Sequence, residues 1–344
     1  MESMNRTADK NDNNNSMNLT DDFGRVVGDL RISVTERCNF KCVYCLPNGD
    51  HVHGKKSDLL TFEEIERLTS IFVKLGISKI RITGGEPLIR RDLHLLINKI
   101  SRIDESLDIA ITTNGYFLKE QIKELISAGL KRVNLSIDTL NAEKFLLLTG
   151  MNSLDRVLES LEAIEDAGIE QIKFNAVVIR GYNDDEIIDL ADFARQTGHV
   201  MRFIEFMPLD EGKSWSRDSV VPADEIFNKI NDHRKLIPLQ ANSDSETARR
   251  YAFEDGLGEI GIIASVTHPF CGNCNRIRLT ADGKIRTCLF SHSEQDLKPL
   301  IRDNASDGEI VDFLKSAIKL KEWGHRINKP DFVQPKRTMS YIGG

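Results

Sequence analysis

The sequence has little that would place it in a membrane or outside the cell. No apolar run in its 344 residues is long enough to cross a bilayer. Its start lacks the charged, apolar and small-residue segments of a secretory signal. Residues 1–22 contain almost no large apolar side chains, which predicts a disordered extension. We therefore expect a cytoplasmic protein without a membrane partner.

Positive charge is also in short supply. Lys and Arg total 46 against 53 Asp and Glu, so the formal net charge is −7. This balance gives no support for broad, nonspecific binding to nucleic acid. An anionic ligand must then be held by a local group of basic residues.

Cysteine is scarce, and its placement is uneven. All six cysteines fall into two groups, which we call the first trio (Cys38, Cys42 and Cys45) and the second trio (Cys271, Cys274 and Cys288). A chain of this length can bury a sufficient core without disulfides. In a reducing compartment, cysteines grouped in this way favour metal binding over disulfides.

Short β-rich runs alternate with amphipathic helical runs between residues 28 and 206, which predicts a parallel α/β sheet. Thr61 and Glu64 predict a capping box on a helix that ends at Leu75, and a second helix is predicted over Ser153–Ala167. The predicted strands are Asp29–Val34, Ser78–Thr83, Asp108–Thr113, Arg132–Asp138, Gln171–Ile179 and Val200–Phe206. Periodicity alone leaves open a partly closed barrel and an open doubly wound sheet.

Polar or glycine-rich segments follow the predicted strands, including TGGEP at 83–87 and SID at 136–138. In parallel α/β folds, ligands lie at the carboxyl ends of strands, so these segments are expected to face one cavity. After about residue 220 the pattern changes towards β-rich sequence, which predicts a C-terminal lobe. The predicted domains are 1–22, 23–220 and 221–344.

The residues alone allow two kinds of metal site. Zinc needs a fourth ligand, which His51 or His53 could supply to the first trio and His268 to the second. A [4Fe–4S] cluster held by three thiolates instead keeps one iron open for chemistry.

Two motifs then carry a resemblance. CNFKCVYC at 38–45 resembles the cluster motif of the radical S-adenosylmethionine (SAM) superfamily, and TGGEP resembles its glycine-rich stretch. In that superfamily the open iron chelates SAM, and electron transfer cleaves SAM to methionine and a 5′-deoxyadenosyl radical. The resemblance implies an α/β fold, a partial (β/α)6 TIM-like barrel, with a C-terminal lobe that carries a second Fe–S cluster.

The second trio indicates one particular family within this superfamily. Together with the terminal YIGG, the segment CGNCNRIRLTADGKIRTC at 271–288 resembles the molybdenum cofactor biosynthesis protein A family, the GTP 3′,8-cyclases, from about residue 24 onwards. This resemblance implies two [4Fe–4S] clusters, SAM, and conversion of GTP to 3′,8-cyclo-7,8-dihydro-GTP, the first step of molybdopterin synthesis. It also implies an electron donor of unknown identity and a downstream cyclic pyranopterin monophosphate synthase, with the chain a monomer or homodimer.

The resemblance also implies site residues, with both trios as cluster ligands. The implied SAM contacts are Tyr44, Gly85, Ser136 and Met207. The implied GTP contacts are Arg31, Lys79, Arg81, Thr112, Lys173, Arg202, Arg276, Ile277, Arg278 and Arg337. Basic residues two apart on a strand share a face, and arginine forks suit phosphate oxygens. No catalytic acid or base is assigned, and Glu86 is expected to organise local hydrogen bonds.

Two points remain open at this stage. Asp282-Gly283 predicts a two-residue hairpin turn that brings Cys288 beside Ile277, and strict pairing would then turn Arg276 and Arg278 to the opposite face. The alternative functions are a peptide-modifying radical SAM maturase with an auxiliary cluster and a zinc-stabilised binding module without chemistry.

Overall fold

The structure is a computed structural model that describes residues 18–47 and 55–343. These residues form an α/β fold on one twelve-stranded sheet with the order β12-β11-β10-β1-β2-β3-β4-β5-β6-β9-β8-β7. The strands are β1 (Asp29–Ser33), β2 (Lys79–Thr83), β3 (Asp108–Thr113), β4 (Arg132–Ser136), β5 (Lys173–Val178), β6 (Val200–Glu205), β7 (Leu236–Pro238), β8 (Arg249–Phe253), β9 (Glu259–Ile263), β10 (Arg276–Leu279), β11 (Lys284–Arg286) and β12 (Gln295–Asp296). The helices are α1 (Phe62–Lys74), α2 (Leu93–Ser101), α3 (Leu118–Ser127), α4 (Ala142–Thr149), α5 (Leu154–Asp166), α6 (Ile187–Thr197), α7 (Ala223–His233), α8 (Lys298–Arg302), α9 (Asp307–Lys319) and α10 (Met339–Ile342).

Strands β1 to β6 are parallel neighbours in chain order, joined by helical crossovers. All six predicted strands are confirmed, as are the helices predicted after Thr61 and Ser153. The predicted capping box is also confirmed: Thr61 Oγ1 accepts from Glu64 N at 3.1 Å, and the Glu64 carboxylate accepts from Thr61 N at 2.7 Å. The sheet order starts and ends on different strands, so the predicted partial barrel is confirmed for the described residues.

Alternation along each strand decides which side chains reach the site. In β5, Phe174 and Val178 are fully buried, whereas Lys173 and Asn175 keep partial exposure. Successive side chains of a strand point to opposite faces. The apolar residues therefore pack under the helices, and the polar residues face the inside of the curved sheet.

The C-terminal lobe extends the parallel sheet at both edges. Strand β9 pairs with β6 and β10 pairs with β1, both in parallel. Since residues 264–275 join β9 to β10, the chain passes there from one edge of the six-stranded unit to the other. This passage carries Cys271 and Cys274, so the lobe brings the second trio to the open side of the barrel.

The hairpin of β10 and β11 is confirmed, but its turn is longer than predicted. Thr280 donates from N to Lys284 O at 2.9 Å, which leaves three residues between them. Gly283 has φ +85°, the left-handed conformation that a three-residue hairpin turn needs. The predicted two-residue turn is therefore wrong, and the added residue puts Arg278 and Cys288 on the same face.

The folded part of the chain begins several residues before the predicted boundary at residue 23. Leu19 is fully buried and donates from N to Leu75 O at 3.3 Å. Residues 18–22 of the predicted extension 1–22 thus belong to the fold, and residues 1–17 lie outside the described residues, as do His51 and His53. Within the described ranges, no helix combines the length and apolar character of a membrane span.

Candidate active site

The carboxyl ends of the parallel strands enclose a cavity of about 310 Å³, here called the upper cavity. It brings together all six cysteines, which are free thiols and half-buried. The four predicted SAM contacts also line it: Tyr44, Gly85, Ser136 and Met207. The two trios, 226 residues apart in sequence between Cys45 and Cys271, therefore face one space.

The first trio lies in a tight turn. Cys45 N donates to Cys42 O at 2.9 Å, and Phe40 N donates to Cys38 Sγ at 3.4 Å. Burial raises the pKa of Cys38 and of Cys45 to about 12. Without a metal these thiols stay protonated, so the thiolates of a cluster require the positive charge of the metal itself. The donor set thus fits an Fe–S cluster.

The glycine-rich segment packs directly against the loop that leads into the first trio. Gly85 N donates to Thr35 O at 2.9 Å, and Glu86 N donates to Arg37 O at 2.8 Å. A Cβ on Gly84 would lie 2.5 Å from Thr35 O, and one on Gly85 would lie 2.4 Å from Arg37 O. Glycine is therefore needed here for the close approach of two backbones, a reason the sequence did not indicate.

Two buried carboxylates organise the surroundings of the first trio. Tyr44 donates to Asp138 Oδ2 at 2.6 Å, which fixes the ring between two cysteines. Glu86 accepts from the Thr113 hydroxyl and from Asn114 N, as expected of a local organiser. Burial raises the pKa of Asp138 to about 6 and that of Glu86 to about 7.

A layer of arginines crosses the inside of the barrel. Arg31 is level with Arg81 on one neighbouring strand and with Arg278 on the other, and Arg202 projects from β6. Burial lowers the pKa of Arg31, and repulsion from Arg278 and Arg81 lowers it further. An anionic ligand bound here would offset the repulsion between these buried cations.

Unpartnered polar atoms support the same conclusion. In the arginine layer, Nε of Arg31, Arg81, Arg202 and Arg278 is buried without a hydrogen-bond partner. Two other cavity residues have such an atom, namely Oγ1 of Thr112 and Oδ1 of Asn175. Native proteins rarely leave buried polar groups unpaired, because each costs about 1–3 kcal/mol. All six residues line the upper cavity, so a polar ligand there would satisfy these atoms.

A second cavity of about 280 Å³, the lower cavity, lies at the opposite ends of the strands. Its wall includes the first residues of eight strands: Asp29, Lys79, Asp108, Arg132, Lys173, Val200, Glu259 and Arg276. Arg31, Arg81 and Arg202 line both cavities, so the arginine layer lies between them. Burial, aided by repulsion from Arg202, lowers the pKa of Lys173 to about 8.

The second trio has a more positive environment than the first. Cys274 Sγ accepts from Arg276 Nη2 at 3.3 Å and from Lys321 Nζ at 3.6 Å. Burial acts to raise the pKa of Cys274, but Arg276 and Lys321 outweigh it and lower the pKa to about 6. His268, the candidate fourth zinc ligand, is exposed and lies 3.2 Å from Asp224 Oδ2 at the start of α7.

Two predicted GTP contacts lie elsewhere. Ile277 is fully buried in the apolar core, because it points to the face opposite Arg276 and Arg278. Arg337 is paired with Asp282 at 2.7 Å. Neither side chain is among the described residues that line the two cavities.

Other residues that line the cavities were not predicted from the sequence. Asn175 shares the inward face of β5 with Lys173, and this period-two relation could have indicated it. His325 lines the upper cavity with an unpartnered buried Nδ1. His325 and Lys321 come after the last long helix, where no local pattern links them to a cavity.

Comparison with known families matches two consecutive parts of the chain. Residues 32–194 match the radical SAM superfamily, and residues 199–327 match the family described as Molybdenum Cofactor Synthesis C. The chain is a radical SAM protein.

Similar sequences define the family more narrowly. GTP 3′,8-cyclase of Rhodopirellula baltica is 43% identical over 95% of this chain and 92% of its own. GTP 3′,8-cyclase of Acidothermus cellulolyticus is 43% identical over 90% of this chain and 87% of its own. The chain belongs to the GTP 3′,8-cyclase family.

Solved structures share the fold at low identity. SuiB of Streptococcus suis has a TM-score of 0.60 at 17% identity, over 92% of this chain and 77% of SuiB. SuiB bound to S-adenosylmethionine gives 0.61 at 16% identity, over 91% and 77%. This likeness concerns the radical SAM fold alone.

Proposed function

We propose that the chain is a GTP 3′,8-cyclase that converts GTP to 3′,8-cyclo-7,8-dihydro-GTP in the first step of molybdopterin synthesis. The observation that carries the proposal is the arginine layer, whose unpartnered donors lie between the two cavities. A nucleoside triphosphate has an aromatic base, a ribose and a chain of anions. The upper cavity with its two trios suits the base and ribose, and the basic wall of the lower cavity suits the phosphates.

The proposed cofactors are two [4Fe–4S] clusters and SAM. Cys38, Cys42 and Cys45 would hold one cluster, and the second trio would hold the other. When bound, the first cluster and SAM would supply the radical chemistry of the superfamily, and a second cluster held by three thiolates would be able to bind the guanine. Zinc at the second trio is less well supported, since His268 is hydrogen-bonded to Asp224.

In this proposal the protein positions the nucleotide and SAM and shields them from water. Asp138 holds the Tyr44 hydroxyl by a hydrogen bond of 2.6 Å, which fixes the ring in the wall of the upper cavity, where SAM would bind. Arg31, Arg81 and Arg278 would anchor the nucleotide by charge-assisted hydrogen bonds. A fixed nucleotide would keep its ribose carbon in a reactive position, and the lobe that passes over the open side of the barrel would help to exclude water.

The phosphate contacts proposed at the lower cavity are Lys79, Lys173, Arg202 and Arg276. Thr112, whose Oγ1 is buried and unpartnered, is proposed as a further nucleotide contact. Ile277 could take part only through its backbone, because its side chain lies in the core. Four further points stay predictions: an electron donor, a downstream cyclic pyranopterin monophosphate synthase, a cytoplasmic location, and a monomeric or homodimeric state.

The proposal is tested by an anaerobic incubation of the reconstituted protein with SAM, dithionite and GTP, followed by mass analysis. We expect 5′-deoxyadenosine together with a cyclised GTP product. If 5′-deoxyadenosine forms and GTP stays unchanged, the cyclase assignment fails and a peptide maturase becomes the better hypothesis. A protein that carries zinc and forms neither product would instead support a binding module.

A further inference from the structure

Lys321 is a buried lysine beside the second trio that the proposed reaction does not use. Its side chain is 3% exposed and follows the end of α9. Its Nζ lies 3.6 Å from Cys274 Sγ and 3.0 Å from Arg276 O, and it also donates to Thr287 O. Arg276 O and Thr287 O can only accept, as can Cys274 Sγ when it is a thiolate. A neutral amine has two N–H donors, so the three contacts favour the ammonium form. The second trio therefore has a buried positive charge at one of its sulfurs.

The backbone around Lys321 is held against the same trio. Arg25 donates to Cys271 O and Trp323 O, both at 2.8 Å, and to Glu322 O at 2.7 Å. A Cβ on Gly324 would lie 2.8 Å from Cys271 Sγ. The segment that carries Lys321 thus forms a fixed wall of the site, and the ammonium cannot swing away without breaking three hydrogen bonds.

The first trio differs in this respect. In the part of the chain that the structure describes, the hydrogen-bonding groups that reach it are neutral. Phe40 N and the Asn114 side chain reach Cys38 Sγ at 3.4 and 3.9 Å, Tyr44 contacts Cys42, and Ser340 contacts Cys45. Its acidic neighbours include Asp138 and Glu86, and burial raises the pKa of these groups to about 6 and about 7. The second trio therefore has cationic donors at Cys274, whereas the described contacts of the first trio are with neutral donors.

We propose that Lys321 is a positioning residue that raises the reduction potential of the second cluster through its ammonium contact with Cys274. Reduction adds a negative charge to an Fe–S cluster. Hydrogen bonds to the sulfurs and nearby positive charge stabilise the reduced form and so raise its potential. The inference depends on the proposed function, because it requires a cluster at the second trio.

The test is a redox titration of the reconstituted full-length holoenzyme, followed by electron paramagnetic resonance. Wild type is compared with Lys321→Met, which keeps the side-chain length and removes the charge. Lys319→Met is the matched control, because Lys319 is exposed near the end of the same helix. A full-length variant with serine in place of Cys38, Cys42 and Cys45 assigns the signal of the second cluster.

We expect Lys321→Met to lower the potential of the second cluster, so that the ratio of reduced to oxidised cluster falls about tenfold at a fixed potential. For a one-electron couple this is about 59 mV. The first cluster and both clusters of Lys319→Met should keep their potentials. An unchanged second-cluster potential in Lys321→Met at full iron content would overturn the inference.

Two other outcomes are also informative. If Lys321→Met loses iron from the second trio, Lys321→Arg, which keeps a cationic donor, should retain the cluster and its potential. Loss of the cluster in both variants would contradict an electrostatic role. If the wild type itself holds one cluster rather than two, the proposed cofactor content fails, and the inference fails with it before any variant is measured.

Discussion

Arg337 donates from Nη1 and Nη2 to the two carboxylate oxygens of Asp282, at 3.0 and 2.7 Å. This fork joins the C-terminal tail to the turn between β10 and β11, which precedes the last cysteine of the second trio. Its Nε also lies 3.0 Å from Glu294. Arg337 therefore holds the C-terminal tail against two acidic side chains, Asp282 and Glu294.

Arg337→Gln should lower the free energy of unfolding by about 1–3 kcal/mol, because it leaves the Asp282 carboxylate half-buried without its bidentate partner. Anaerobic urea unfolding measures this change. Asp282→Asn should cost less in the Arg337→Gln background than in the wild type, since the two changes remove one interaction. The Kd for GTP should stay within about twofold. A large loss of GTP affinity with unchanged stability would return Arg337 to the nucleotide site.

Gly85→Ala should reduce SAM cleavage at least about tenfold, because its Cβ would meet Arg37 O at 2.4 Å and push the loop of the first trio aside. Production of 5′-deoxyadenosine without GTP measures the effect. Gly308→Ala is the control, since its Cβ would have ordinary contacts, the nearest at 3.8 Å. Equal cleavage rates in both variants would show that the two loops have room to separate.

GTP affinity should fall as the pH rises through about 8. Burial lowers the pKa of Lys173 to about 8, and the protonated form is the one that attracts a triphosphate. Between pH 7 and 9 we expect a loss of up to about tenfold in affinity, which follows from loss of the proton over one unit on each side of the pKa. Anaerobic equilibrium dialysis measures it.

Lys173→Arg is the control for this pH effect, because arginine stays charged over the whole range. Its affinity should vary less between pH 7 and 9 than that of the wild type. An identical pH profile in the two proteins would mean that another group, on the protein or on GTP, titrates instead.

Cys274→Ser should separate the two halves of the reaction. In the proposed function SAM cleavage depends on the first trio, so 5′-deoxyadenosine should still form. The cyclised product should fall below a few per cent of the wild-type amount, a loss of at least about 2 kcal/mol in transition-state stabilisation. The comparison variant, Cys42→Ser, should lose both products. Normal GTP turnover in Cys274→Ser would refute the role of the second trio.

The six parallel strands were predictable because their signals are local. In β5 the order Lys173, Phe174, Asn175 alternates polar and apolar side chains, and each such run is followed by a helical run. The cysteine spacing and the TGGEP segment are local as well. Local patterns therefore predicted the parallel strands, the grouping of the cysteines and the strand ends that face the cavity.

Pairing between distant segments was not predictable. No local feature of β9 or β10 indicates that they pair with β6 and β1. The turn at Gly283 has one residue more than predicted, and this single residue changes the register of the hairpin. Lys321 is 47 residues from Cys274 in sequence and belongs to no motif. Its position beside the sulfur is set by packing of the lobe, which the pattern of a single sequence does not encode.

Arg25 gives the protein an order of assembly. Its guanidinium joins residues near the start of the described chain to Glu322 and Trp323, which are 297 and 298 residues later. During synthesis the second trio therefore stays without this outer wall until Glu322 and Trp323 have been made, although its own last cysteine is Cys288. A metal bound by the second trio before that point would lack the backbone that Arg25 holds beside Cys271.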